Sequence, residues 1–377
     1  MSLDESIRTL LSYSLVKRGG KADSFSIHPL VHSWARLYLD SKAERKAEIA
    51  RRAFGILRWA IDVPGKRATN DWAFEQRVMP HIDTVAKHMD KFLEMQMEYG
   101  ALTVNLGKLY REHGRHDKAL KYYERELAGK EKALGVDHPD TLTTVNNMAL
   151  VFDNQGQYDK ALKYHERALA GREKSLGVDH SSTLTTVHNM ASVFSNQGQY
   201  DKAMKYYERA LAGKEKSLGV DHPSTLTTVN DMASVYNNQG QYDKALKYYE
   251  RALAGREKSS GVDHPSTLTT VHNMALVFNR QGQYDKALKY YERSLAGKEK
   301  SLGVDHPSTL TTVNNMAFVF NSQGQYDKAV KYSERAFLGM CSRLGDNHPS
   351  TKTIHQTLVQ FYKKTGRPLA TWICPPL

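Results

Sequence analysis

Residues 139–180 carry two helical stripes of apolar side chains separated by turn residues. In the first, Leu142, Val145, Met148, Ala149 and Phe152 recur at steps of three, three, one and three, which keeps them on one side of a helix turning about 100° per residue. Pro139 suits the start of that helix, where the first N–H groups lack intrahelical partners anyway. Gly156 supplies the left-handed residue that stops it. Tyr158 opens a second helix with the stripe Ala161, Leu162, Tyr164, Ala168 and Leu169, and Gly177 with Asp179 turns the chain back. The pattern predicts an antiparallel helix pair.

The same pair is written six times. Asp-Lys-Ala recurs at Asp117, Asp159, Asp201, Asp243, Asp285 and Asp327, and a histidine at His138, His180, His222, His264, His306 and His348, both in steps of 42 residues. A fixed period of this length marks a solenoid, in which each unit is too small to bury its apolar face alone and stacks on the next. Six units cover residues 97–348, a lone first helix at 349–366 reads as a closing cap, and 367–377 as a tail.

The run Asn147-Met-Ala-x-Val-Phe-x-Asn-Gln-Gly-Gln-Tyr158-Asp-Lys-Ala-x-Lys-Tyr164 resembles the tetratricopeptide repeat, with Ala149, Phe152, Gly156, Tyr158, Ala161 and Ala168 at the signature places. The 42-residue period and the connection Arg-Glu-Lys-x-Leu-Gly-x-Asp-His-Pro-x-Thr are similar to the longer variant found in kinesin light chains and in many fungal signalling proteins. The resemblance implies an all-α fold: a right-handed solenoid of antiparallel helix pairs whose first helices line a concave, peptide-binding groove.

Units two to six are near-copies, so their differences are informative. Leu142, Val145, Met148, Ala149 and Val151 keep their identity in all five, as a packed core requires. One variable position reads Asn146, His188, Asn230, His272, Asn314, and four residues on it reads Leu150, Ser192, Ser234, Leu276, Phe318. Three further on come Asp153, Ser195, Asn237, Asn279 and Asn321, followed by Asn154, Asn196, Asn238, Arg280 and Ser322. With Thr143 and its equivalents these fall more than about 120° from the core stripe, and they are expected to face the groove. On the second helix the exposed Lys163, Glu166, Arg167, Glu173 and Lys174 repeat almost unchanged. Divergence is therefore concentrated in the groove, which points to diversified recognition; drift of exposed positions is the plainer alternative.

Asn147, Asn189, Asn273 and Asn315 offer a donor and an acceptor to any ligand backbone, and the resemblance places such clamps there; Asp231 departs from the series. The alternative is an Asn satisfied within its own repeat. Leu150, Leu276 and Phe318 would supply apolar pockets. A further pattern couples Lys130 with Asn146, Arg172 with His188, Lys214 with Asn230, Arg256 with His272 and Lys298 with Asn314, which suggests copying by pairs of units, 84 residues at a time.

Composition adds little: the 377 residues are 40% hydrophobic and 25% charged, near the averages for globular proteins. The net charge of +12 raises nucleic acid as a partner, yet residues 159–200 hold five basic against four acidic side chains. Such interleaving describes a solvated face of i,i+4 pairs, and a nucleic-acid binder is the weakest reading. Two cysteines, Cys341 and Cys374, exclude a disulfide scaffold, read as thiols and suit a reducing, cytoplasmic location. No signal peptide and no run of 18 apolar residues occurs, so no membrane partner is expected.

No catalytic or cofactor motif stands out, and neither an enzyme nor a cofactor is expected. The 16 histidines recur mostly once per repeat, about 8–10 Å or more apart on packed helices, too far for ligands that each sit ~2 Å from one metal ion. Their predicted role is at helix starts. His165-Glu166 begins a zinc-protease motif, but Leu169 replaces the second His. His188 and His272, as groove residues, would make binding sensitive to pH between about 5 and 7.5.

Residues 1–40 read as a β-hairpin, Leu10 to Lys17 and Ser24 to His28 around Arg18-Gly-Gly-Lys21, followed by a helix from Pro29. The stretch Phe25-Ser-Ile-His-Pro-Leu-Val-His-Ser-Trp-Ala-Arg36 resembles the winged-helix end of NB-ARC signalling ATPases, matching their Met-His-Asp motif only at His28. Without P-loop and Walker segments the expected role of His28 is structural. Residues 41–96 read as a helical connector, with Phe74, Val78, Ile82, Val85, Met89 and Phe92 at helical spacing. Together these features predict the ligand-sensing, protein- or peptide-binding part of an NB-ARC plus tetratricopeptide receptor lacking its ATPase core. The alternative is a free-standing adaptor resembling kinesin light chain.

Overall fold

The structure is a computed structural model that describes residues 100–346 and 348–366, the strand residues 16–18 and 25–27, and Met79 and Asp83. The chain divides into two compact units, residues 1–66 with 73–97, and 67–72 with 98–377. In the first, β1 (Val16–Arg18) pairs antiparallel with β2 (Phe25–Ile27), Val16 opposite Ile27 and Arg18 opposite Phe25. The rest of the expected hairpin lies outside the described residues. The helix from Pro29, the connector at 41–96 and the role of His28 lie outside the described residues.

The second unit is a stack of thirteen described helices. The first repeat is α1 (Gly100–Glu112) and α2 (His116–Leu134), the second α3 (Pro139–Asn154) and α4 (Tyr158–Leu176), the third α5 (Ser181–Asn196) and α6 (Tyr200–Leu218). Then follow α7 (Pro223–Asn238) and α8 (Tyr242–Ser260), α9 (Pro265–Arg280) and α10 (Tyr284–Leu302), α11 (Pro307–Ser322) and α12 (Tyr326–Leu344), and the lone α13 (Pro349–Thr365). The starts and stops of these helices follow the sequence pattern.

The punctuation has a physical cause at each end. His138 is the residue before α3, in extended conformation, and its Nδ1 accepts from Asp140 N–H at 3.2 Å, satisfying one of the orphan donors of the first turn. His180, His222, His264, His306 and His348 repeat this at α5, α7, α9, α11 and α13. The histidines are helix caps. At the other end Gly156 takes φ 71°, and Gln157 N–H closes back on Phe152 O at 2.8 Å.

Within each repeat the two helices meet at a glycine. A Cβ on Gly255 of α8 would stand 2.6 Å from Leu226 Cδ2 of α7, and the same approach recurs at Gly171, Gly213, Gly297 and Gly339. Leu142, Val145, Met148, Ala149 and Val151 are all buried to within 1%, so the invariant stripe is the core. The outer charges pair between repeats and not at i,i+4 as expected: Arg167 with Glu131 and Lys174 with Asp137, then Arg209 with Glu173 and Lys216 with Asp179, and so on. Cys341 is buried in α12 and disulfide-bonded, which corrects its reading as a thiol.

Candidate functional site

Successive first helices α3, α5, α7, α9 and α11 touch one another, whereas successive second helices approach less closely. The first helices therefore occupy the tighter, inner side of the stack, and the variable positions can be placed upon it.

They divide into three sets. Arg280 is exposed, as are Asn154, Asn196, Asn238 and Ser322 at the same register, and Phe318 is 38% exposed. Asn147, Leu150, Asp153, Asn189, Ser192, Ser195, Asp231, Ser234, Asn273, Leu276, Asn279, Asn315 and Asn321 are half-buried. Asn146, Asn230, Asn237, His272 and Asn314 are buried. For these five the expectation of a solvent-facing groove position is corrected: neighbouring first helices close over them. His188 is half-buried and shares their setting.

The buried set forms a polar joint between repeats. His188 Nδ1 lies 3.2 Å from Thr228 Oγ1 of the next first helix, and His272 Nδ1 lies 3.1 Å from Thr312 Oγ1. Thr270 donates to Asn230 Oδ1 at 3.2 Å, and Asn146 Oδ1 meets His165 Nδ1 at 3.1 Å. The second row is drawn in as well: Asn189 Nδ2 donates to Asn146 Oδ1 at 3.3 Å, Asn315 Nδ2 lies 3.1 Å from His272 Nε2, and Asp231 Oδ2 lies 3.3 Å from His188 Nε2. Asn189 and Asn315 are thus partly satisfied by the neighbouring repeat, a partner that neither sequence reading foresaw.

Each of the four middle joints also holds a buried cation. Arg172, Lys214, Arg256 and Lys298 are at most 6% exposed. Lys214 Nζ donates to Thr228 Oγ1 at 2.9 Å, and Lys298 Nζ to Thr312 Oγ1 at 3.1 Å. Arg172 Nη1 donates to Thr186 Oγ1 at 2.7 Å while its Nη2 reaches Thr143 Oγ1 at 3.0 Å; Arg256 does the same toward Thr270 and Thr227. Through the shared threonine, lysine partners histidine (His188 with Lys214, His272 with Lys298) and arginine partners asparagine (Asn230 with Arg256). The alternation visible in the sequence therefore has a contact behind it, but between other couples than those read there: a cation and the ring or amide of its own repeat meet on a threonine of the next. What the sequence did not reveal was that these cations are buried.

Burial dominates their protonation. Desolvation lowers Lys214 and Lys298 to about 8, and desolvation with the nearby Lys298 charge holds His272 at about 3. His272 is accordingly neutral across pH 5–7.5, which corrects its assignment as a groove pH sensor. The end joints differ. At the first, Lys130 pairs with Glu126, which accepts from Thr144 at 2.6 Å. At the last, Met340 and Ile354 replace the cation and the threonine, and Asn314 Oδ1 is left buried without a partner.

The inner side thus offers half-buried serines and leucines, the exposed Phe318 ring packed edge-to-face on Phe361 at 5.6 Å, and a rim of amides. Asn196 Nδ2 donates to Asp153 Oδ1 at 3.0 Å, and Arg280 Nη1 donates to Asn237 O and Asn238 Oδ1 at 3.1 and 3.3 Å. Among the described residues no cluster of His, Cys, Asp or Glu could hold a metal ion, and no helix is long and apolar enough to cross a membrane. Such a surface can make amide and hydroxyl hydrogen bonds and bury apolar side chains.

A nucleotide-binding leucine-rich repeat (NLR)-like protein of Hyaloscypha variabilis is 34% identical over 147 residues, 38% of this chain; the match spans only 14% of that relative. Among solved structures, nearly identical TPR-like repeats of a kinesin light chain-like protein from Podosopora anserina share 28% identity over 54% of this chain and 97% of that one, with a TM-score of 0.47. The apo quorum sensor NprR of B. thuringiensis has the same fold at 18% identity, TM-score 0.53, over 79% of this chain and 82% of its own. The tetratricopeptide repeat profile matches residues 98–174, 143–216, 182–258, 224–300 and 266–337 without a gap between them. With helix pairs, core stripe and punctuation all of that kind, the chain belongs to the tetratricopeptide repeat family.

Proposed function

We propose that the inner face of repeats two to six binds a peptide segment of a protein partner, and that this array is the sensing part of an NLR-like receptor; it does no chemistry of its own. One observation carries the reading: at the register where units three and four place Ser192 and Ser234, units five and six place Leu276 and the exposed Phe318. A partly exposed ring one unit on from a leucine at the same register, in units otherwise copied almost letter for letter, is the kind of anchor that dominates a binding interface. The likeness to the Hyaloscypha variabilis protein supports the receptor context.

The test is selection of a displayed random peptide library on the full chain, repeated on the variant L276S/F318S, which restores the residue of the neighbouring units. Enriched peptides should lose binding to the variant while its helical circular dichroism is retained. Enrichment that survives both substitutions sinks the assignment.

A further inference from the structure

Ion pairs between repeats run along the outer face, whereas three charges on the rim of the inner face are held by amides alone. Two series of outer cations meet a carboxylate of the preceding repeat, as Arg251 does Glu215 and Lys258 does Asp221. Asp153, Arg280 and Lys364 have only neutral partners among the described residues: Asn196 donates to Asp153, Arg280 to Asn238, and Lys364 Nζ to Asn321 Oδ1 at 3.0 Å. Arg280 and Lys364 occupy the same register two units apart, and Asp153 is one residue before it. One rim of the inner face therefore runs from an uncompensated negative charge on α3, across neutral amides on α5 and α7, to uncompensated positive charges on α9 and α13.

Resting on the groove reading above, we infer that the ligand is a peptide of fixed charge order. It carries a basic side chain over Asp153 and, about eight residues away, an acidic side chain at Arg280 beside an apolar one on Leu276 and Phe318. The spacing follows from three helix steps of about 8–10 Å each, spanned by an extended chain at ~3.3 Å per residue. Leu276 and Arg280 lie four residues apart on one helix, so apolar and acidic ligand groups are read together there. Charges held by amides and not by opposite charges keep their field for a ligand, and they set orientation more than raw affinity. A ligand of the same composition in reverse order meets like charges at both ends.

The library selection is repeated on the full-length variants R280N and D153N, each of which installs the amide that other units carry. On the parent chain, enriched sequences should show a basic and an acidic position in one order about eight residues apart. R280N should erase only the acidic preference and D153N only the basic one, each weakening a selected peptide by roughly tenfold. Peptides that need Leu276 and Phe318 but show no charge order, or whose order survives both variants, overturn this inference and leave the groove reading standing. No enrichment at all overturns both. Sedimentation of the full chain as a dimer that R280N dissociates would assign the rim to a second copy and also overturn it.

Discussion

Arg172 Nη2 donates to Thr143 Oγ1 at 3.0 Å. By that bond one side chain braces the first helix of its own repeat while its other nitrogen holds Thr186 of the next. Lys214, with a single nitrogen, bonds only forward, to Thr228 and Ser224. The histidine ring that accompanies lysine packs edge-on against Tyr207 or Tyr291 at 5.2 Å.

The pairing of cation with ring or amide should therefore be cooperative. Lys298→Arg alone forces a fork against His272 and is expected to cost about 1–2 kcal/mol. The double variant H272N/K298R rebuilds the Asn230–Arg256 arrangement and should recover about 1 kcal/mol beyond the sum of the single changes. Urea denaturation of the four proteins measures the cycle; strictly additive effects would show that the alternation has no energetic content.

The pH response of the same joint has a defined sign. Lys298 has a folded pKa of about 8 against an ordinary 10.5, so between those values the unfolded chain retains a proton that the folded chain has released. Stability gains from this group as pH rises through that window, by at most about 1.4 kcal/mol per unit. His272, at about 3 against 6.5, contributes stability that is complete above 6.5 and is lost as pH falls toward 3. In melting-temperature profiles, K298M should flatten the alkaline limb and H272N the acid limb, each relative to the parent chain. Profiles that stay parallel to the parent's would refute the burial assignment.

Gly255 should tolerate no side chain. In most helix interiors Gly→Ala is stabilising by up to about 1 kcal/mol, but here the added carbon would stand 2.6 Å from Leu226 Cδ2 in the core. Crowding is expected to win, with a net loss of about 1–2 kcal/mol. The companion change Leu226→Ala, made together with Gly255→Ala, should make the two less than additive in thermal denaturation.

Most of this fold was legible because its signals are local. His138 with Pro139, and Gly156 with Tyr158, mark helix ends through bonds that span two to five residues. The burial of Asn146 or His272 was not legible in the same way. Their contacts cross 40 to 43 residues, Thr312 with His272 and Asn189 with Asn146, and a helical wheel of one unit counts them as outward because their cover belongs to the next. The buried cations were hidden for the same reason, since a lysine in a polar helix reads as solvated until Thr228 and the Ser224 carbonyl are placed over it. The half-exposed row with Leu276 and Phe318 was found because it varies among copies, a signal that needs no coordinates.

The last joint offers a direct test of how a charge is tolerated in this seam. Met340→Lys would place an ammonium group beside Asn314 Oδ1 but against Ile354, with no hydroxyl to receive it. A loss of about 2–4 kcal/mol is expected, largely recovered when Ile354→Thr is added. Equal stability of the single and double variants would show that the threonine is dispensable.

Where a joint holds histidine, the ring and its lysine, such as His188 with Lys214, belong to one repeat and meet a threonine common to all, although His188 also meets Asp231 of the next repeat. Unequal recombination that splices the gene at the loops entering the first helices would then add or delete units while keeping each cation with the histidine or asparagine of its own repeat. A splice falling between codons 188 and 214 would instead unite histidine with arginine. Array length and inner-face lettering can in this way be reshuffled quickly while the spine is left intact, provided the breakpoints fall in the loops.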